Sequence, residues 1–310
     1  MDKNIDNSGF GTSVNQKFAR FINKDGTHNV IHQDRPLSET NSLYSKLINM
    51  AWWRFLFLIF TFYFSINLVF ALIYYWFCIP NLLGLIKGSN WQNFQEAYFF
   101  SAQTLTTVGY GRISPVGFFT NTVSATEALI GILTLAINTG LLYGRFVKPK
   151  AHIKFSHNAI IAPFKDGKAL MLRLAPIKNP SLSQMMVRVT GSLMLEDEKG
   201  KHINKFFNLP LQIETLDTFV TIWTVVHPID NESPLWEMNY EQMAKTELEI
   251  LVFVRAYDED FSSTVVKRTS YSFDEIIYGA KFKPAYYEDP NGKGSIVEHQ
   301  KINQFDRIEF

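Results

Sequence analysis

The six residues Thr106-Thr107-Val108-Gly109-Tyr110-Gly111 stand between two long apolar segments and have the types needed to hold a bare cation. Two glycines flanking one aromatic residue open backbone conformations that other residues avoid. A strip of this kind turns its successive carbonyl oxygens to one side. Four strips around an axis replace the hydration shell of K⁺ with peptide dipoles. An ordinary soluble turn is the competing reading, and the apolar flanks weigh against it.

Those flanks must position the strip. From Phe55 to Ile79, 25 residues carry no charge. As a helix this run is ~38 Å long, enough to cross a ~30 Å hydrocarbon core with tilt. The second run, Val116 to Gly144, contains one charge, Glu127. A buried core helix is the alternative for either run alone; two of this length point to a membrane protein. Between them, Asn93 and Glu96 offer a capping-box start. The apolar, aromatic stretch that follows is too short to span and predicts a re-entrant helix over 94–106. Its C-terminal end would turn the negative pole of the helix dipole toward a cation path.

Charge placement orients the chain. Lys46 and Arg54 flank the first span, Arg145, Lys148 and Lys150 follow the second, and the connection holds only Lys87, Glu96 and Arg112. The positive-inside rule puts both termini of a multi-pass cell-membrane protein in the cytoplasm. Trp52, Trp53, Tyr74, Tyr75 and Trp76 sit where interfacial aromatics belong. Apolar Leu37, Leu43, Tyr44, Leu47 and Ile48 among polar neighbours suit a helix over 36–52 on the inner membrane surface, with a plain loop as the alternative. Net charge is +1 and no basic block suggests a nucleic-acid partner. The single cysteine, Cys78, excludes an intrachain disulfide. The first residues lack the apolar stretch of a cleavable signal.

From Ala151 the pattern changes to short alternating runs over 169–174, 185–195, 219–226 and 248–254, separated by turn residues such as Asp166-Gly167 and Asn231-Glu232-Ser233-Pro234. They predict an all-β sandwich of ~150 residues. The expected layout is an N-terminal segment over 1–35 with a strand near 20–31, a surface helix over 36–52, a pore domain over 53–148 and a β-domain over 149–310. Within the pore domain the spans occupy 53–79 and 116–145 and the strip 107–111. The histidines offer no close pair with metal-ligand spacing, and no Ser/His/Asp or Cys/His pattern supports catalysis. Neither an enzyme nor a cofactor is expected.

Span, re-entrant helix, TVGYG, span and β-domain together resemble the inward-rectifier potassium channels, including their prokaryotic members. Arg20 to Gly26 with Asn29-Val30 is similar to the family's N-terminal strand, and Trp53-Arg54 to its entry into the first span. Arg145 to Lys150 is similar to its basic linker. Phe155 to Ile161 and the run Val226 to Leu235 resemble two further signatures. The strip alone fits any potassium channel; its combination with these runs is specific.

The resemblance implies a homotetramer with an immunoglobulin-like cytoplasmic sandwich. Thr107, Val108, Gly109 and Tyr110 would coordinate K⁺ through carbonyls, with the Thr107 hydroxyl at the inner end and Gly111 closing the strip. Leu135, Thr139 and Tyr143 would face the cavity, Tyr143 forming the gate; their i, i+4, i+8 spacing gives one helix face. Trp53, Arg54, Arg145, Lys148 and Lys150 would lie at anionic headgroups, each basic group contributing ~1 kcal/mol. The segment from Tyr257 through Asp258, Glu259 and Ser262 to Ser263 would line a narrow part of the cytoplasmic pore. Gly131, Gly140 and Gly144 serve either bending or close packing.

Three departures from the family matter. Gln103 stands where relatives carry a glutamate behind the filter, and Glu127 is the candidate substitute. Leu135 and Arg255 replace acidic residues of strong rectifiers, which implies weak polyamine-dependent rectification. No span carries an arginine at every third position, which disfavours voltage gating. A non-conducting receptor whose sandwich binds a ligand is the reading from another class.

Overall fold

The computed structural model describes residues 20–29, 42–177, 182–196, 202–290, 292 and 294–309. They form two compact units, one over Gln33–Lys148 and one combining the N-terminal residues with Pro149–Phe310. The part of the expected 36–52 helix before Ser42 and the N-terminal residues before Arg20 lie outside the described residues.

In the first unit, helix α1 covers Leu43–Asn49, capped by the Ser42 hydroxyl, which accepts from the Ser45 N–H. It ends before the expected position 52 because the backbone is extended at Met50 and Ala51. Helix α2 runs Trp52–Ile73 and continues through a π-helical turn, Tyr74–Cys78, and a 3₁₀ turn, Ile79–Asn81. Pro80 lacks an N–H and ends the helix there. The short strand β1 (Leu82–Leu83) precedes α3 (Asn90–Leu105), and β2 (Ser114–Pro115) precedes α4 (Phe118–Phe146). Strands β1 and β2 pair antiparallel. Two helices are long and apolar enough to cross a membrane, Trp52–Asn81 and Phe118–Phe146.

Helix α3 starts four residues before the expected position. Its capping box is Ser89 with Gln92, each side chain accepting from the other's backbone N–H. The Asn93 side chain instead accepts from the Gly88 N–H. Ser89 wins because a hydroxyl at that position meets an N3 amide of the right reach.

The second unit opens with residues 20–29, where Ile22 and His28 form an isolated antiparallel bridge. Then follow β3 (Ile153–Phe155), β4 (Ala159–Phe164), β5 (Gly167–Pro176), β6 (Leu182–Glu196), β7 (His202–Asn208), β8 (Thr215–Thr218) and β9 (Trp223–Ile229). After helix α5 (Tyr240–Lys245) come β10 (Glu249–Asp258), β11 (Ser263–Ser272), β12 (Ile276–Tyr278), β13 (Ala280–Phe282), β14 (Tyr286–Glu288), β15 (Ser295–Val297) and β16 (Phe305–Arg307). One sheet has the order β11-β10-β6-β7 with β8 also on β6; the other has β12-β4-β5-β3 with β9 also on β5. Inward residues of both sheets, among them Leu172, Val187, Val225, Ile250 and Tyr271, share one core. The alternating burial of β9, and of β10 from Val252 onward, is the period-2 pattern of half-buried strands.

Two buried polar side chains brace this sandwich. Arg173 donates to the carbonyls of Lys283 and Lys301 and lies 4.5 Å from the Phe282 ring, so it ties the C-terminal segment to β5. Burial without a carboxylate partner pushes its guanidinium down to about 10. His227 bonds the Pro210 carbonyl through Nδ1 and the Ser233 hydroxyl through Nε2. Burial holds its ring below the ordinary imidazole range. Both neighbours suit a neutral ring protonated on Nδ1, with the Ser233 hydroxyl donating to Nε2.

Candidate functional site: the glycine strip and its supports

The strip begins where α3 stops. The N–H groups of Val108 and Gly109 both turn back to the Gln103 carbonyl, at 3.0 and 3.3 Å, and Thr107 N–H reaches the Thr104 carbonyl at 3.1 Å. Thr107, Gly109 and Gly111 have φ of +60°, +53° and +82°, whereas Val108 and Tyr110 are not in that region. Alternating handedness gathers successive N–H groups on one side and leaves the carbonyls to the other. Glycine accepts this conformation freely, while Thr107 holds it against a steric cost of order 1–3 kcal/mol. No sheet pairing involves 107–110.

Within this chain the strip is largely bare: Val108 is 54% and Tyr110 80% exposed. The expected cavity residues are equally bare, Leu135 at 67% and Tyr143 at 68%. Thr139 spends its hydroxyl on the Leu135 carbonyl, an ordinary i−4 bond within the helix. A cleft of about 180 Å³ joins Thr107 to Leu135 along α4, with Phe62 and Ile66 of α2 opposite.

Three contacts fix the strip from behind and outside. At Gly131 an added Cβ would lie 2.0 Å from the Leu105 carbonyl oxygen, so α4 touches the last turn of α3 backbone to backbone. Beyond the strip, Arg112 donates to Glu96 at 2.6 Å and to the Gly84 carbonyl at 3.2 Å, binding the exit of the strip to the start of α3. Gly84 has no room for a side chain, since a Cβ there would meet the Arg112 oxygen at 1.7 Å. One turn above Gly131, Glu127 is fully buried and joins Tyr74 and Ser101 across three helical segments, at 2.7 and 2.5 Å.

Glu127 therefore meets α3 at Ser101, not at Gln103. Gln103 supports the strip through its backbone carbonyl; no bond of its amide is found among the described residues. Tyr74 is fully buried on Glu127, which corrects its reading as an interfacial aromatic; Trp76, 67% exposed, keeps that character. Ser101 and Asn67, polar residues inside apolar runs, were the sequence signal for this cluster.

The expected headgroup cluster divides. Arg145 donates to the carbonyls of Leu47 and Met50, at 2.5 and 2.6 Å, and its guanidinium lies 4.6 Å from the Trp52 ring and 4.4 Å from the Phe55 ring. Lys148 donates to the Asn49 side chain. Both cations thus hold the C-terminal end of α1, whose free carbonyls attract them. Arg54 is exposed beside Trp53. Lys150 belongs to the other unit. Gly144 meets Tyr44 and Ile48 of α1 closely, whereas Gly140 faces open space.

In the β-unit, Tyr257 and Asp258 end strand β10 and are not loop residues. Asp258 is buried and accepts from the Phe261 N–H, which corrects its assignment to a cation path. A carboxylate at the first position of a tight turn finds backbone donors there. Glu259 and Ser262 are exposed in the turn. Arg255, next to the bulge that separates it from Tyr257, shares a cleft of about 320 Å³ with Gln184 and Asp217.

Two families match this chain: the Inward rectifier potassium channel C-terminal domain over residues 153–310 and the Ion channel family over residues 56–147. Inward rectifier potassium channel Kirbac3.1 of Paramagnetospirillum magnetotacticum is 32% identical over 278 residues, 89% of this chain and 92% of its own. G protein-activated inward rectifier potassium channel 4 of Bos taurus is 26% identical over 86% of this chain and 68% of its own. G protein-activated inward rectifier potassium channel 2 of Homo sapiens is 26% identical over 87% and 68%. These similarities do not favour the receptor reading.

Proposed function

The chain belongs to the inward rectifier potassium channel family, and from that premise we propose that four copies close around one axis to conduct K⁺ across the cell membrane. The carbonyls of Thr107, Val108, Gly109 and Tyr110 line the path and stand in for water on the ion. The observation that carries this reading is the alternating handedness at 107, 109 and 111 with the N–H groups drawn back to Gln103. The bare apolar face of Leu135 and Tyr143 supports a shared axis, since exposed patches of that kind mark contact surfaces or pores. Tyr143 forms the inner constriction, and both termini and the β-domain are cytoplasmic, a placement the basic flanks support.

Anionic lipid acts on this gate from the inner surface. Arg54 and Lys150 are the direct headgroup ligands. Arg145 and Lys148 contribute by fastening α1 to α4, so lipid that draws on α1 biases the inner helix. Leu135 and Arg255 leave little purchase for polyamines, and rectification is weak. Reconstituted protein should take up rubidium into liposomes, barium should block the uptake, and Gly109→Ala should abolish it. Barium-insensitive uptake, or uptake that survives Gly109→Ala, refutes the assignment.

A further inference from the structure

The polar cluster behind the filter does not balance its hydrogen bonds if Glu127 is a bare carboxylate. Ser101 has one hydroxyl proton, and three acceptors lie within its reach: Glu127 Oε1 at 2.5 Å, the Asn67 carbonyl at 3.2 Å and Asn67 Oδ1 at 3.3 Å. Tyr74 donates its single proton to the other carboxyl oxygen. The Asn67 amide nitrogen donates to the Tyr63 carbonyl, and among the described residues no bond from it reaches Ser101 or Glu127. A fully buried carboxylate in a membrane span also calls for a cation, and among the described residues no ion pair includes Glu127. Burying such a charge unpaired is costly, whereas a neutral group that meets all its partners is tolerated.

One proton on Glu127 Oε1 resolves the shortfall. The carboxylic acid then donates to Ser101 Oγ, Ser101 donates onward to Asn67, and Tyr74 donates to Glu127 Oε2. Ser101 then both accepts and donates, and Tyr74 spends its one proton on the carboxyl. The chain links α2, α3 and α4 one helical turn above the place where Gly131 touches Leu105. Four residues of helix rise by about 6 Å, so Ser101 stands one turn above the start of the strip.

We infer that Glu127 is the positioning residue of the filter and that it works as a proton-bearing hydrogen-bond hub, not as a counter-charge. This rests on the channel reading, since a filter must exist to be positioned. The hub holds α3 in place by bonds that only a group with one donor and one acceptor can complete. Glutamine supplies both, at nearly the same shape; leucine supplies neither.

The test is rubidium uptake by the full chain in liposomes, with sodium as competitor and the tetramer checked by cross-linking. Glu127→Gln should keep the preference for rubidium over sodium within about twofold. Glu127→Leu should lower it roughly tenfold with the tetramer intact, the scale of a lost buried hydrogen-bond pair. Wild-type selectivity in Glu127→Leu overturns the inference, and so does Glu127→Gln failing as badly as Glu127→Leu, because that makes charge the operative property. If Glu127→Leu does not assemble, the pair Tyr74→Phe with Ser101→Ala keeps the carboxyl and removes the hub. It should show the same loss, and unchanged selectivity there overturns the inference equally. Absent uptake by the wild-type chain would defeat the channel reading itself, a different and recognisable result.

Discussion

Gly131→Ala is the smallest change that tests how the filter is braced. The added methyl carbon would stand 2.0 Å from the Leu105 carbonyl oxygen and 2.9 Å from its carbon, where ordinary contacts begin at 3.4 Å. Relief requires the last turn of α3 and α4 to part by about 1.4 Å, the difference between 3.4 and 2.0 Å. Neither side yields cheaply, because the obstacle is backbone and not the end of a flexible side chain. Overpacking of this kind costs about 1–3 kcal/mol, against which alanine returns about 1 kcal/mol of helix propensity. The net loss of stability is therefore at most ~2 kcal/mol per chain, and the chain still folds. The filter suffers more, since Val108 and Gly109 hang from the Gln103 carbonyl in that same turn. Gly140→Ala is the control: its methyl meets nothing within 4 Å and should stabilise the helix with uptake unchanged. We expect Gly131→Ala to assemble, to lose barium-sensitive rubidium uptake and to admit sodium. Wild-type uptake and selectivity in Gly131→Ala would refute the backbone contact as a determinant of the filter.

Further outcomes follow from the other contacts. Arg145→Ala removes two charged hydrogen bonds, one to α1 and one to the Met50 carbonyl just after it, worth about 3 kcal/mol together; amide exchange over 43–49 should accelerate roughly a hundredfold, and unchanged exchange would show that α1 does not depend on this arginine. The neutral ring is the form the fold of the β-unit prefers at His227, so its contribution is complete above about pH 6.5 and is lost as pH falls through the lowered folded value. Melting of the full chain should therefore weaken as pH falls below about 6.5, and His227→Gln should flatten that slope. In the proposed tetramer Leu135→Asp places an acidic ring on the cavity face and should introduce steep, voltage-dependent spermine block; equally strong block of the parent would show that rectification has another source.

The linear order of residues determined a good deal about this protein. Apolar runs of 25 and more residues with at most one charge are best satisfied by helices in an apolar medium, so Phe55–Ile79 and Val116–Gly144 declared themselves without any long-range contact. Alternation in the second half declared strands for the same local reason, and TVGYG carried its own conformational demand in its glycines. What lies across space was not legible there. Three glycines on α4 looked equivalent, yet Gly131 and Gly144 face backbone or packed side chains while Gly140 faces nothing. Arg145 and Lys148 looked like headgroup ligands because charge near a span end is read by position; only folding brings the carbonyls of Leu47 and Met50 within 2.5 and 2.6 Å of Arg145. Glu127 was visible as an anomaly, but its partners at positions 74 and 101 were set by how three helical segments pack. Periodicity records which face of a segment is apolar, whereas hydrogen bonds between segments depend on crossing points that no local pattern encodes.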